Sequence, residues 1–156
     1  MMTQEYFAAM KADLLKTYAA DLCEESVADI QAATSLRQFI DVLNKYTAFL
    51  KYKSIPEIGW VRKWFSDHKS DAEECGCYLD CYRVVIDPKQ PITLYGTANV
   101  TLFVTEPHIY QVTTQDDSSL QVDANGVAAV NIRQKHNSKV FVLNKNKQAT
   151  IKIRKV

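Results

Sequence analysis

Three cysteines and a histidine fall within fourteen residues: His68, then Cys75-Gly-Cys77-Tyr-Leu-Asp-Cys81. Thiolates and an imidazole are the ligands that zinc takes in tetrahedral sites. The spacing speaks against that chemistry. Zinc knuckles use cysteines separated by two residues, whereas these are separated by one and by three. In a strand Cys77 and Cys81 share a face, while Cys75 lies across a glycine turn. Free cysteine packs as a small hydrophobe, so Cys77, Leu79 and Cys81 read as core residues of a first strand. No metal and no cofactor is expected; His68, Cys75, Cys77 and Cys81 are the ligands available if one bound.

The other reactive side chains are scattered. His108, in Glu106-Pro-His108, reads as the occupant of a wide corner facing solvent. His136 and the Asp116-Asp117 pair have no neighbour in sequence that completes a triad or a carboxylate pair, and no glycine loop could cradle a phosphate. An enzyme is not expected. Charge is distributed more tellingly than its net value of +1: residues 1–30 hold six acids against Lys11 and Lys16, whereas residues 124–156 hold eight bases and no acid. Strand alternation sends Arg133, Lys139, Lys152 and Arg154 outward, where stacking could gather them into a ladder for phosphates, although Phe141 alone offers an aromatic platform there.

Helical periodicity occupies the first half. Phe7, Met10, Leu14 and Tyr18 mark a helix over residues 3–22 with Thr3 as its cap, and a short helix or turn capped by Ser26 follows. Ser35-x-x-Gln38 has capping-box form, opening an amphipathic helix that carries Leu36, Phe39, Ile40, Leu43, Ala48, Phe49 and Leu50. Pro56 suits the first turn of a third helix bearing Trp60, Val61, Trp64 and Phe65; the tryptophans either complete this core or pack on the next module. Ser70-x-x-Glu73 suggests one more box, and Gly76 the left-handed residue that closes the turn.

After Gly76 the period changes from 3.6 to 2. A small residue followed by two alternating apolar ones recurs at Ala98/Val100/Leu102, His108/Tyr110/Val112, Ser118/Leu120/Val122, Ala128/Val130/Ile132, Ser138/Val140/Val142 and Ala149/Ile151/Ile153, in steps of 10, 10, 10, 10 and 11. A short strand cannot bury two apolar residues alone, but like strands wound into a coil stack them into a column, with the small residue at the corner. The fold class is therefore α+β: an N-terminal helical module, residues 1–74, followed by a small C-terminal parallel β-solenoid with a ten-residue repeat, residues 77–156. An antiparallel β-sandwich is the runner-up, because Asn125-Gly126 is the one hairpin signal present. The segment Leu94-Tyr95-Gly96-Thr97-Ala98-Asn99-Val100 resembles the YGNAxVxV-type tandem repeats of gut bacterial and phage proteins, which usually follow a helical segment. That resemblance covers residues 90–154 and implies a phage or mobile-element origin while implying no activity.

Four apolar residues, Phe103, Ile109, Phe141 and Leu143, fall on the outward phase, where a free-standing solenoid prefers polar groups. The helical module or a second copy of the chain would cover them. The last strand, Ala149 to Arg154, is expected to lack a cap, its lysines and arginines repelling a like copy stacked end to end. With 47% hydrophobic and 24% charged residues, and no stretch resembling a signal peptide or membrane span, a cytoplasmic protein is expected, in a host cell or a virion. The function expected is that of a non-catalytic structural or interaction protein forming a homodimer or small oligomer through Phe103, Ile109, Phe141 and Leu143. The alternative is a nucleic-acid-binding or host-defence-modulating factor using Arg133, Lys152 and Arg154.

Overall fold

The computed structural model describes residues 1–51 and 53–156, without the side chains of Ala48 and Lys51, so the place expected for Ala48 on a helix face lies outside the described residues. The chain divides into two compact units, Met1–Cys75 and Gly76–Val156.

The first unit is helical: α1 (Gln4–Thr17), α2 (Glu24–Ala32), α3 (Leu36–Lys45), α4 (Ile58–Phe65) and α5 (Lys69–Glu74). Thr3 caps α1 by accepting the Tyr6 N–H, and Phe7, Met10 and Leu14 face inward as their spacing dictates. The expected boundaries and caps shift elsewhere. Cys23, not Ser26, caps α2: its sulfur accepts the Ser26 N–H at 3.5 Å, while the buried Ser26 hydroxyl turns back to the Cys23 carbonyl. Ser35 does cap α3, but Gln38 Oε1 reaches Thr34 N at 2.8 Å, so the reciprocal bond falls one residue before the cap. The helix stops at Lys45, and Leu50 is buried from a π-helical turn, Thr47–Lys51. Pro56 precedes α4, whose cap residue is Glu57. Ser70 lies inside α5 and caps nothing. Both tryptophans serve this unit: Trp60 stacks on Phe39 with centroids 6.2 Å apart, and Trp64 meets the Tyr6 ring edge-on and donates Nε1–H to Asp13 at 2.7 Å.

The second unit is a parallel β-solenoid. Its strands are β1 (Cys77–Leu79), β2 (Tyr82–Ile86), β3 (Ile92–Tyr95), β4 (Asn99–Val104), β5 (Ile109–Thr114), β6 (Ser119–Ala124), β7 (Ala129–Gln134), β8 (Lys139–Lys145) and β9 (Thr150–Lys155). Odd strands form one sheet, order β1-β3-β5-β7-β9, and even strands the other, β2-β4-β6-β8; every pairing is parallel. One coil is therefore two ten-residue units, and Asn99 pairs with Ser119 and Ser119 with Lys139. Between the sheets lie Val100, Leu102, Leu120 and Val122 from one side and Leu94, Val112, Val130 and Ile132 from the other, each at most 3% exposed. The small corner residues Ala98, Ser118, Ala128, Ser138 and Ala149 are buried, as their recurrence predicts, and His108 is exposed at a corner of the same four-residue length as those after β5, β6 and β7.

The corners explain why four glycines suffice. Six of the eight turn through one left-handed residue, not a hairpin turn, and aspartate and histidine tolerate that conformation. Gly96 and Gly126 supply it (φ 65° and 60°), and so do Asp80, Asp87, Asp116 and His136 (φ 42° to 57°). Gly76, at φ 86°, leaves no room for a side chain, since a Cβ there would stand 2.3 Å from the Pro91 carbonyl oxygen. The eleven-residue step has a physical counterpart too. Val122 pairs with Val142 and Asp123 with Asn144, so Leu143 is an extra residue in a β-bulge.

Candidate functional site

The cysteine cluster resolves into packing. Among the described residues no three His, Cys, Asp or Glu side chains converge as metal ligands. Cys75 and Cys77 are buried, and burial pushes the Cys75 thiol pKa up. The phase expected for the first strand is corrected: Tyr78, paired with Leu94, enters the column, while Cys77 and Leu79 are buried on the opposite phase. Cys81 lies between β1 and β2, partly buried against the solenoid core. His68 packs its ring 4.4 Å from Tyr6 and sets Nδ1 3.4 Å from Asp71.

The polar residues of the corners form ladders along the solenoid. Asp80 Oδ1 accepts the Thr97 N–H, Asp116 Oδ2 accepts the Gly96 N–H, and His136 Nδ1 accepts the Asp116 N–H at 3.0 Å. Asp116 and His136 are thus neighbours, one coil apart, with Oδ1 and Nδ1 at 3.4 Å. They are not neighbours in sequence, and the one signal of their meeting is a spacing of twenty residues, one full coil. At the opposite corner Asp87 accepts from Thr105 N (2.7 Å), Thr105 Oγ1 (2.8 Å), Glu106 N (3.3 Å) and Tyr110 Oη (2.9 Å). Desolvation opposes the Asp87 charge, but these donors outweigh it and hold the pKa at about 2. The same contact helps push Tyr110 up to about 12, behind the larger effect of its own burial. These groups are engaged in holding turns together.

The expected interaction residues divide between the two sheets. On the odd sheet Arg133 pairs with Arg154 and Asn131 with Lys152, so three cations gather on its outer face. Desolvation, then the adjacent Arg154, lower the Arg133 pKa. Ile109, 59% exposed, lies on the same face in line with Ala129 and Thr150. Lys139, Phe103 and Phe141 belong to the even sheet. There Phe103 is half-buried between Ile86 and Asp123, two coils from Phe141, so the two phenylalanines do not form one patch.

The coil formed by β8 and β9 is where apolar side chains and positive charge coincide. Phe141, Val142 and Leu143 are 50%, 47% and 59% exposed in succession. Val142 and Ile153 sit on the inward phase, paired with Val122 and Ile132, yet Ile153 is 43% exposed while Val122 and Ile132 are at most 2%. Alternation reveals the phase of these residues but not whether a further coil lies over them. Reasoning from sequence also missed Tyr82, Val84 and Ile86, all exposed on the outer face of β2. The helical unit contains an open cleft of about 420 Å³ lined by Asp29, Gln38, Asp41 and Lys45, in which Asp29 is already bound by Lys45 Nζ and Tyr46 Oη, each at 2.7 Å. No helix among the described residues is long and apolar enough to cross a membrane. Comparisons with family models, curated proteins and solved structures give no match to this chain.

Proposed function

We propose that this is a non-catalytic structural or protein-interaction protein working through the surfaces of its solenoid, encoded by a phage or mobile element and acting in the host cytoplasm or a virion. The observation that carries the reading is the exposed run Phe141-Val142-Leu143 on β8: three consecutive apolar side chains open to water on an edge strand are a liability unless another surface covers them. The corner carboxylates and His136 are already committed to turn hydrogen bonds, which favours a scaffold over a reacting centre. The origin rests on the likeness of Tyr95-Gly96-Thr97-Ala98-Asn99-Val100 to the YGNAxVxV repeats.

The surface expected to cover β8 is that of a second copy, giving a homodimer or small oligomer. Phe141→Glu lowers the mass measured by light scattering toward that of the monomer while leaving the circular dichroism spectrum intact. A wild-type chain that is monomeric at high micromolar concentration overturns self-association. The in-register Arg133 and Arg154 beside Lys152 favour one second reading, a nucleic-acid-binding or defence-modulating factor. On that reading DNA or RNA retention falls steeply with salt, and alanine at those three positions flattens the slope.

A further inference from the structure

The two edges of the last coil are not alike. The bulge at Leu143 interrupts β8, whereas β9 pairs with β7 without a shift over all six residues, Thr150 to Lys155. Among the described residues β9 has a neighbouring strand on its β7 side only. Thr150 and Val156 donate to the Ala128 and Gln134 carbonyls at 2.9 Å. Alternate residues of a parallel strand bond to the same side, so the amides of Ile151, Ile153 and Lys155 face away from β7. The side chains at this straight edge have two characters. Ile151 and Ile153 continue the inward rows of Val130 and Ile132 and remain partly in water, while Lys152 and Arg154 continue the outer rows of Asn131 and Arg133. No acid occurs from residue 124 to residue 156 to balance the charge.

We infer that β9 receives an extended acidic segment of another protein as an added strand, with apolar side chains over Ile151 and Ile153 and carboxylates over Lys152 and Arg154. This rests on the reading of the chain as an interaction protein and names the chemistry of one partner. Strand addition draws its affinity from main-chain hydrogen bonds and its specificity from alternate side chains, and both are laid out here over six residues. Charge selects the occupant. A second copy meeting this edge brings Lys152, Arg154 and Lys155 against their equivalents, the arrangement by which natural edge strands refuse one another, whereas an acidic strand turns the same residues into partners. A nucleic acid would satisfy the cations but leave Ile153 and the open amides uncovered.

The probe is a fluorescein-labelled eight-residue peptide alternating glutamate and valine, followed by anisotropy against the full chain. Three comparisons define the mode: a peptide of equal composition with its glutamates and valines in separate blocks, a lysine–valine alternating peptide, and a single-stranded DNA octamer. The alternating acidic peptide is expected to bind at least about tenfold more tightly than the block peptide. The double variant Lys152→Glu/Arg154→Glu reverses the preference, losing the acidic peptide about tenfold or more and gaining the lysine–valine one, which also shows that the variant is folded. Bound peptide slows hydrogen exchange at the amides of Ile151, Ile153 and Lys155. Equal binding of block and alternating peptides, unchanged affinity in the double variant, no binding, or binding of the DNA in place of the peptide each overturns the inference. Self-association through Phe141 lies on the other sheet and is read by mass, so a self-associating chain that ignores the peptide refutes strand addition alone. A monomer that takes the peptide refutes only the homodimer.

Discussion

Val122→Ala and Val142→Ala remove the same two carbons from the same row of the column, because the two valines are register partners on β6 and β8. Their surroundings differ: Val122 is fully buried, whereas Val142 is 47% exposed. At about 0.8 kcal/mol per buried carbon, Val122→Ala forfeits ~1.6 kcal/mol of transfer free energy. The cavity left between two packed sheets raises the loss to about 2 kcal/mol. Val142→Ala loses about half the transfer contribution and leaves a dent open to water, for a total of ~0.8 kcal/mol. In urea, with a slope of about 2 kcal/mol per molar, the midpoint should fall by ~1 M for the first variant and ~0.4 M for the second. The assay follows amide exchange in the solenoid as well as fluorescence, since both tryptophans lie in the helical unit and the two units need not unfold together. Equal losses for the two variants, measured where the chain is monomeric, would refute the reasoning: Val142 would then be covered in solution, and the last coil would not present an apolar surface to a partner.

Two titrating side chains make further predictions. Asp87 sits at about 2 in the folded chain against 3.8 in the unfolded one, so its stabilisation is complete above about pH 4 and disappears as pH falls toward 2. Nearly two units at 1.36 kcal/mol each, cut by roughly half for screening at a partly exposed corner, gives ~1 kcal/mol. Asp87→Ala should cost that much near pH 7 and much less at pH 2 in urea melts, and ultraviolet titration should find Tyr110 below its present value of about 12. Lys135 is 3% exposed, and burial, then Arg133, push it down to about 8 against the pull of Asp116. The unfolded chain therefore holds that proton more tightly than the folded one between about pH 8 and 10.5, and stability rises with pH across this window. Lys135→Met should abolish that rise, seen as a wild-type-minus-variant difference in urea midpoints.

The helical faces and the solenoid were legible because burial repeats: Phe7, Met10 and Leu14 at helical spacing, and a small residue with two apolars every ten positions, are patterns that only recurring inward positions produce. Three features were not. The number of strands per coil depends on which strands pair, and a ten-residue step fits several answers until Asn99 is found beside Ser119. The phase of β1 is not legible because Cys77, Tyr78 and Leu79 are all apolar, so alternation has nothing to alternate with; the pairing of Tyr78 with Leu94 puts the tyrosine in the column. The acidic and histidine corners were invisible because their partners lie one coil away. Asp116 and His136 touch at a separation of twenty residues, which no local motif search spans.

The single irregular step in the repeat has the largest consequence for the last coil. An extra residue in a strand reverses the phase of everything after it, which would have turned Ile151 and Ile153 outward and Lys152 and Arg154 into the column. The bulge absorbs the insertion at Leu143, so that Asn144 returns to the outer phase opposite Asp123 and bonds its Oδ1 at 3.3 Å, and Ala149, Ile151 and Ile153 resume their inward rows. The same residue therefore does two things at once. It bends the β8 edge, which hinders a strand from pairing there and leaves the exposed Phe141 and Leu143 side chains as what that edge presents. It also keeps β9 straight and in register, with alternate apolar and cationic side chains beside open amides. In the proposed readings, side-chain contact falls to one sheet and strand pairing to the other.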